Sequence, residues 1–485
     1  METTRFWLND ELVETDESPG RLVLDYVRRN RLTGTKEGCK EGDCGACTIL
    51  VGSLVDGQVA YELVTSCLVP LGEMQGKHVV TVEGINFRDR LSFVQDAMVA
   101  RGGTQCGYCT PGFVVSMTWF LLGDDAGAPT MDGFKRAISG NLCRCTGYAS
   151  INRAGEDIVR ELTDGGEYAD VWGADDRVTA AAKRGLLPAY FAEMPARLAE
   201  LERPRIDTSE ATVFVAGGTD LYVQRGDDIP NEKIAILNHH PQMRGIRLQD
   251  GHFHVGALTT FTEFADHPEL QRLIPGMQDF MWLIASLHIR NRATLGGNIV
   301  NASPIGDMTA LLLSLGSTLV LQEGTARREV ALADFYLGYK TLEKRPRELV
   351  TEVIFPAGSD RTRINFEKIA KRKALDIATV CSGARIEVSG GVIDRATISM
   401  GGVAPIPLVL SRTGGFLRGK PIHVDTIRDA LPIAQSEVSP ISDVRGSADY
   451  KRLLVNQLII AHFTELFPDL VEFDQLRPVS RAAGA

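Results

Sequence analysis

Nine cysteines are present, eight of them before Thr146, and their spacing is the first sign of chemistry in the chain. Cys39, Cys44 and Cys47 follow a C-x4-C-x2-C pattern within KEGCKEGDCGACTILVG, and Cys67 lies twenty positions beyond Cys47 in SCLVP. This is the spacing of a plant-type [2Fe-2S] site. Two ferric ions, two sulfides and four thiolates leave a net charge of about −2, so the loop has to offer hydrogen-bond donors to the sulfurs. Gly38, Gly42 and Gly45 serve that need, because glycine lets the backbone fold tightly with its amides pointing inward. A zinc knuckle or a set of free thiols is the competing reading. Zinc sites favour pairs of C-x2-C units, and this spacing is different.

The second set is Cys106-x2-Cys109 in TQCGYCTPGF and Cys143-x-Cys145 in GNLCRCTGY. Four cysteines in two close pairs suit a tetrahedral zinc ion as well as a second iron–sulfur cluster. Two features favour iron and sulfide. An apolar helix predicted from Thr110-Pro111 through Leu122 starts directly after Cys109, which turns its free amides and positive end toward the cysteine loop. Arg144 adds positive charge between the last two cysteines, its plainer reading being a solvated surface arginine. Cys381 stands apart and reads as a buried apolar residue.

Other elements must hold these loops. Arg5–Leu8 and Glu11–Thr15 read as a hairpin around Asn9-Asp10, followed by a helix with Ser18 as its cap and Pro19 in its first turn. From Thr81 to Leu142 the pattern is helical, with Phe93, Val94, Ala97 and Met98 on one apolar face. The helix from Thr110 is apolar all round, so it must be buried.

At 485 residues the chain exceeds what one core organises, and two to four domains are expected. Apolar residues make up 44% and charged residues 24%, an ordinary soluble composition. The net charge of −10 comes without a basic stripe, which argues against nucleic acid as a partner. The start, Met1 to Asp10, lacks a secretory pattern, and the longest apolar stretch, Ala310 to Leu321, is broken by Ser314 and Gly316 and too short for a bilayer. No membrane association and a cytoplasmic location follow as expectations, and in that reducing compartment clustered cysteines read as metal ligands. Residues 164–184 read as a linker, Pro356 to Arg363 as a second break, and no internal repeat is found.

No G-x-G-x-x-G fingerprint occurs. Instead, a strand Val213–Val215 runs into Ala216-Gly217-Gly218-Thr219-Asp220-Leu221, whose paired glycines can bring amides against a pyrophosphate or simply form a turn. The segment from Thr294 to Asp307, TLGGNIVNASPIGD, is dense in small residues and in amide and hydroxyl donors suited to phosphate and ribose. His252 and His254 share one strand face without a third ligand and read as surface residues. Lys371 and Lys373 read as solvated charges.

A plant-type ferredoxin segment followed by TQCGYCTPGF and GNLCRCTGY resembles the iron–sulfur part of the xanthine dehydrogenase, or molybdenum hydroxylase, family, and the later segments resemble its flavin domain. The likeness spans the chain and is to the iron–sulfur/FAD small subunit of the bacterial members. One departure is Tyr148-Ala149-Ser150, where many members have Tyr-Arg-Pro. The resemblance implies an α+β multidomain fold: a plant-type ferredoxin β-grasp domain (1–80), a helical [2Fe-2S] domain (81–163), the linker (164–184), a vanillyl-alcohol-oxidase-type FAD domain (185–360) and a small α+β C-terminal domain (361–485). It further implies that all eight clustered cysteines ligate iron. Val215, Ala216, Gly217, Gly218, Thr219, Asp220 and Leu221 would wrap the FAD pyrophosphate. Ala285, Thr294, Gly297, Asn298 and Asn301 would lie along the cofactor, and Asp307 would hold the adenosine end. Val350 and Lys368 would touch the flavin side, the plainer reading of Lys368 being an exposed lysine, and Arg372 would face the nicotinamide nucleotide.

The implied function is electron transfer. Electrons would enter from a molybdopterin centre on a separate large subunit, pass the helical cluster, then the ferredoxin-type cluster, then FAD, and leave on NAD+, while xanthine or hypoxanthine becomes urate at the partner. No side chain need act as acid or base. A heterotetramer of two small and two large subunits is the implied assembly. The alternatives are another molybdenum hydroxylase acting on aldehydes or N-heterocycles, and a zinc-binding scaffold protein.

Overall fold

The computed structural model describes residues 3–123, 128–202 and 208–476. Positions 1–2 and 477–485, the outer ends of the first and last expected domains, lie outside it. The chain forms two compact units, residues 1–240 with 286–293, and residues 241–285 with 294–485. The architecture is α+β and multidomain, as expected.

In the first unit a five-stranded sheet runs in the order Glu11–Thr15, Thr4–Leu8, His78–Val80, Thr48–Val55, Gln58–Thr65. The opening hairpin turns at Asn9, which adopts φ 54°, a conformation asparagine tolerates better than most residues. Phe6, Ile49, Val64 and Leu71 close a core against Val23, Tyr26 and Val27 of the helix Val23–Arg29. Ser18 does not cap that helix. Its hydroxyl donates to the Pro230 carbonyl at 2.6 Å, and Leu22 is extended and bridged to Pro70, so the first helical residue is Val23.

The helix Thr110–Leu122 is the axis of the next module, burying Phe113, Val114, Val115, Met117, Phe120 and Leu121. Each large side chain sealed this way contributes about 1.5–3 kcal/mol. Phe120 meets Phe134 edge to face, and Phe134 fits because Gly155 opposes it, where a Cβ would lie 2.3 Å from the ring. Residues 164–184, expected as a linker, are built into this core. They form the helices Ala169–Trp172 and Arg177–Lys183, burying Val171, Trp172, Val178 and Ala181. Helices of four and seven residues are too short to show a period, and Asp176, one of the apparent breakers, caps the second by accepting from the Thr179 amide at 2.9 Å. Beyond it, Val213–Val215 pairs in parallel with Ile234–Ile236.

The second unit holds a five-stranded antiparallel sheet, ordered Ala326–Ala331, Thr318–Glu323, Leu349–Pro356, His252–Gly256, Ile246–Gln249. It also holds a four-stranded sheet, Thr362–Ile369, Val380–Ser389, Val392–Gly401, Leu408–Val409. The Val380–Ser389 and Val392–Gly401 strands turn at Gly390-Gly391, both at positive φ (57° and 78°), which a tight hairpin requires. The helix Ala448–Leu466 covers this sheet with Leu454, Leu458 and Phe463. Residues 185–360, expected as one domain, are divided between the two units.

Candidate functional site

The first four cysteines come together in two pairs, Cys39 with Cys44 and Cys47 with Cys67, each joined by a hydrogen bond between sulfurs. That bond from Cys44 lowers Cys39 to about 5, helped by the Glu41 amide 3.3 Å away, and correspondingly pushes Cys44 up. Cys47 is lowered in the same way by Cys67, whose own thiol is pushed up. Within each pair the hydrogen bond favours the thiolate form of one member at the expense of the other, and metal binding displaces such protons. The loop glycines are what allow the approach. Gly42 and Gly45 lie at φ +80° and +67°, and a Cβ on Gly38 would sit 2.7 Å from the Cys44 sulfur.

The second four also pair. The sulfurs of Cys106 and Cys145 are 3.5 Å apart and exposed, while Cys109 and the buried Cys143 share a hydrogen bond. Burial pushes Cys109 up to about 12, with Cys143 adding to the rise. Burial acts upward on Cys143 too, but donation from the Thr146 hydroxyl and from the Thr146 and Cys145 amides brings it down. As the sequence predicted, the helix Thr110–Leu122 starts at Cys109, whose carbonyl accepts its first bond from the Phe113 amide. Among the described residues no three His, Cys, Asp or Glu side chains converge on one point as ligands of a single ion. Paired thiols, two for each iron, are the donor set of a [2Fe-2S] cluster, so both quartets fit one.

The two cysteine loops are tied directly. The Leu142 amide, next to Cys143, donates to the Cys44 carbonyl at 3.0 Å. Asn141 Nδ2 donates to the Gly45 carbonyl at 3.1 Å, and Lys36 Nζ reaches the carbonyls of Gly107 and Tyr108 at 3.1 and 3.3 Å. Gly112 permits this closeness, since a Cβ there would lie 2.2 Å from the Gly45 carbonyl oxygen.

In the first unit the segment Val215–Leu221 leaves its strand through Gly218, at φ +73°, and enters the helix Leu221–Arg225. Gly217 lies flush against residue 292, where a Cβ would be 1.9 Å from the carbonyl oxygen. Gly217 is itself buried, and the partly exposed stretch Gly218-Thr219-Asp220 is the part of the turn whose backbone can meet a pyrophosphate. Sequence reasoning missed what supports it. Arg292, buried, donates to the Gly217 carbonyl and to both oxygens of Glu73. A lone arginine in HIRNRAT has no local pattern that announces a partner 219 positions away.

In the second unit Thr294 caps the helix Leu295–Asn301 by accepting from the Gly297 amide at 3.0 Å. Asn298 Oδ1 accepts from the Thr309 amide and hydroxyl at 3.1 and 2.8 Å, and Asn301 is held through its carbonyl and its Oδ1 by Lys340. Ala285 adopts φ 50°, and Val350 is buried in the strand Leu349–Pro356. Lys368 is no exposed lysine. Its ammonium is buried, 2.7 Å from Asp307 and 2.7 Å from the Leu283 carbonyl. Burial raises Asp307 against the pull of that ammonium, and raises Cys381, buried as expected, well above its ordinary value. Arg372 is exposed, its side chain donating to the Leu375 carbonyl, and His252 is exposed on its strand.

Comparison with known proteins finds four family matches along the chain. Residues 7–71 match a 2Fe-2S iron-sulfur cluster binding domain and 81–156 a [2Fe-2S] binding domain. Residues 188–358 match the FAD binding domain in molybdopterin dehydrogenase, and 366–466 the CO dehydrogenase flavoprotein C-terminal domain. The chain carries the iron–sulfur and flavin modules of the molybdenum hydroxylases. Xanthine dehydrogenase of Drosophila pseudoobscura pseudoobscura is 29% identical over 96% of the chain, and that of Oryza sativa subsp. japonica 28% over 82%. The chain spans only 39% and 35% of those relatives' lengths. Carbon monoxide dehydrogenase from Hydrogenophaga pseudoflava superposes with a TM-score of 0.50 and 28% identity, covering 54% of this chain and 91% of that one. The reconstituted enzyme from Oligotropha carboxidovorans gives 0.50 and 26%, covering 53% and 92%. Within this molybdenum-hydroxylase setting the role of the modules is electron transfer through two [2Fe-2S] clusters and FAD. No helix among the described residues is long and apolar enough to cross a membrane.

Proposed function

We propose that this chain is the electron-carrying subunit of a xanthine dehydrogenase, joined to a separate molybdenum-binding large subunit in a heterotetramer of two small and two large chains. It would work in the cytoplasm, accepting electrons released when hypoxanthine or xanthine becomes urate at the partner and delivering them to NAD+. The observation that carries the relay is the main-chain bond from Leu142 to Cys44, which joins the two cysteine loops without a gap. Tunnelling through bonded atoms outpaces tunnelling through space, so electrons entering at Cys106 and Cys145, the exposed pair, have a continuous path inward.

Within this reading Cys39, Cys44, Cys47 and Cys67 hold one cluster, and Cys106, Cys109, Cys143 and Cys145 the other. Val215–Leu221 cradle the FAD pyrophosphate. Thr294, Gly297, Asn298 and Asn301 lie along the cofactor with Ala285, and Val350 on its flavin side; Asp307 and Lys368, paired at 2.7 Å, serve one and the same end, so the expected division of adenosine to Asp307 and flavin to Lys368 does not hold. Bound FAD supplies the conversion between single electrons and a hydride. The chain's own residues hold the cofactors, keep water from the buried thiols and tune potentials by hydrogen bonds.

Alignment with xanthine dehydrogenase over 96% of the chain supports this substrate, since the carbon monoxide dehydrogenase chains match only about half. Their likeness to about half of the chain supports a second reading, another molybdenum hydroxylase, for which the sequence expectation is an aldehyde or N-heterocycle as substrate. The deciding experiment is to purify the chain with its copurifying partner and follow the visible spectrum. Bleaching by xanthine and recolouring by NAD+ is the expected result. Bleaching by an aldehyde or heterocycle alone would move the assignment to the second reading, and a colourless preparation would remove both.

A further inference from the structure

We propose that Thr146 sets the reduction potential of the helical module's cluster by donating a hydrogen bond to the sulfur of Cys143. This rests on the reading of Cys143 as an iron ligand. The Thr146 hydroxyl lies 3.1 Å from that sulfur and accepts from the Tyr148 amide at 3.2 Å. The amide takes only a lone pair of the hydroxyl and a thiolate cannot donate, so in this 3.1 Å contact the hydroxyl is the donor and the sulfur the acceptor.

The local backbone aims it there. Gly147 and Tyr148 both adopt left-handed conformations, φ 59° and 65°, and curl the chain so that the amides of Cys145 and Thr146 face the same sulfur as the hydroxyl. Tyr148 fixes the curl from the other side, its phenol oxygen accepting from the Cys143 amide at 3.0 Å while its ring packs edge-on against Phe113. Cys143 is also the buried member of its quartet, where a donor is worth more than in water.

Reducing the cluster by one electron places more negative charge on its sulfurs. A donor already aimed at one of them binds the reduced form more tightly than the oxidised form and raises the potential. The residue is a positioning residue: it touches a ligand and exchanges neither electron nor proton.

The test is a redox titration of the purified holoenzyme, following each cluster's paramagnetic signal. In Thr146→Val the reduced-to-oxidised ratio of the second cluster at fixed potential should fall about tenfold, a shift of about 59 mV for one electron. The first cluster should not move, and Thr146→Ser, which keeps the hydroxyl, should restore the wild-type value. A potential unchanged in Thr146→Val with iron content intact, or an equal shift in both clusters, overturns the inference. Should the valine variant fail to take up iron, the smaller Thr146→Ala reads the same quantity, and a wild-type potential there overturns it equally. Cys143→Ser separates the two levels of the argument. Retention of both signals in that variant removes the ligand assignment itself, whereas loss of the second cluster's signal beside an unmoved Thr146→Val potential removes only the role of Thr146.

Discussion

The Arg292 guanidinium and the Glu73 carboxylate meet in a two-pronged ion pair, both contacts at 2.7 Å and the side chains 4% and 3% exposed. The same guanidinium donates to the Gly217 carbonyl, so a buried charge pair underlies the turn assigned to the pyrophosphate. Burial alone would raise the Glu73 carboxyl, but Arg292 and Lys77 outweigh it and hold the group well below the usual range.

Removing one partner strands the other charge. Glu73→Gln should cost about 3–5 kcal/mol in denaturant unfolding and should lower FAD retention, read as flavin lost on gel filtration.

The pair also gives a signed pH dependence. A carboxyl held low in the fold adds stability in full above its unfolded pKa of about 4.3, and that stability is lost as pH falls toward the folded value. The wild-type unfolding midpoint should therefore fall more steeply than that of Glu73→Gln below about pH 4.3. Parallel profiles would refute the assignment.

His78 and His462 titrate in another window. Both are buried and lowered to about 3, chiefly by burial, so each is neutral in the fold. Stability is complete above the unfolded value of about 6.5 and is lost as pH falls toward the folded one, at up to about 1.4 kcal/mol per pH unit for each group. His462→Gln should flatten the midpoint profile between about pH 6 and 4.

Lys368→Met leaves the Asp307 carboxylate buried without its ammonium and should destabilise the protein by about 3–5 kcal/mol. Adding Asp307→Asn should recover part of that loss, because the stranded charge is gone, and a double-mutant cycle by urea unfolding measures the coupling.

Cys67→Ser and Cys145→Ser should each remove one of the two paramagnetic signals and about half of the iron, leaving the other signal in place. Loss of both from either variant would mean that the loops tied through Leu142 and Cys44 load as one.

Local spacing made the cysteine sites legible. Ligands within a few residues of one another, and a helix opening at Thr110, are patterns a single segment carries. The Glu73–Arg292 pair was invisible because its members belong to distant segments and nothing near either predicts burial. The plainer reading of Lys368 as an exposed lysine failed for a related reason: a lysine in a strand reads as exposed until Asp307 and the Leu283 carbonyl are placed beside it. Residues 164–184 misled because glycine and aspartate there cap and separate short helices instead of interrupting them.

The bond from Leu142 to Cys44 is made by main-chain atoms on both sides. No side chain takes part in it, whereas a donor to a sulfur, such as the Thr146 hydroxyl, is added or removed by a single substitution. On the proposed relay, the wiring between the centres is fixed by the fold and the voltage at each by side chains, so one scaffold can be retuned to a new electron donor without being rerouted.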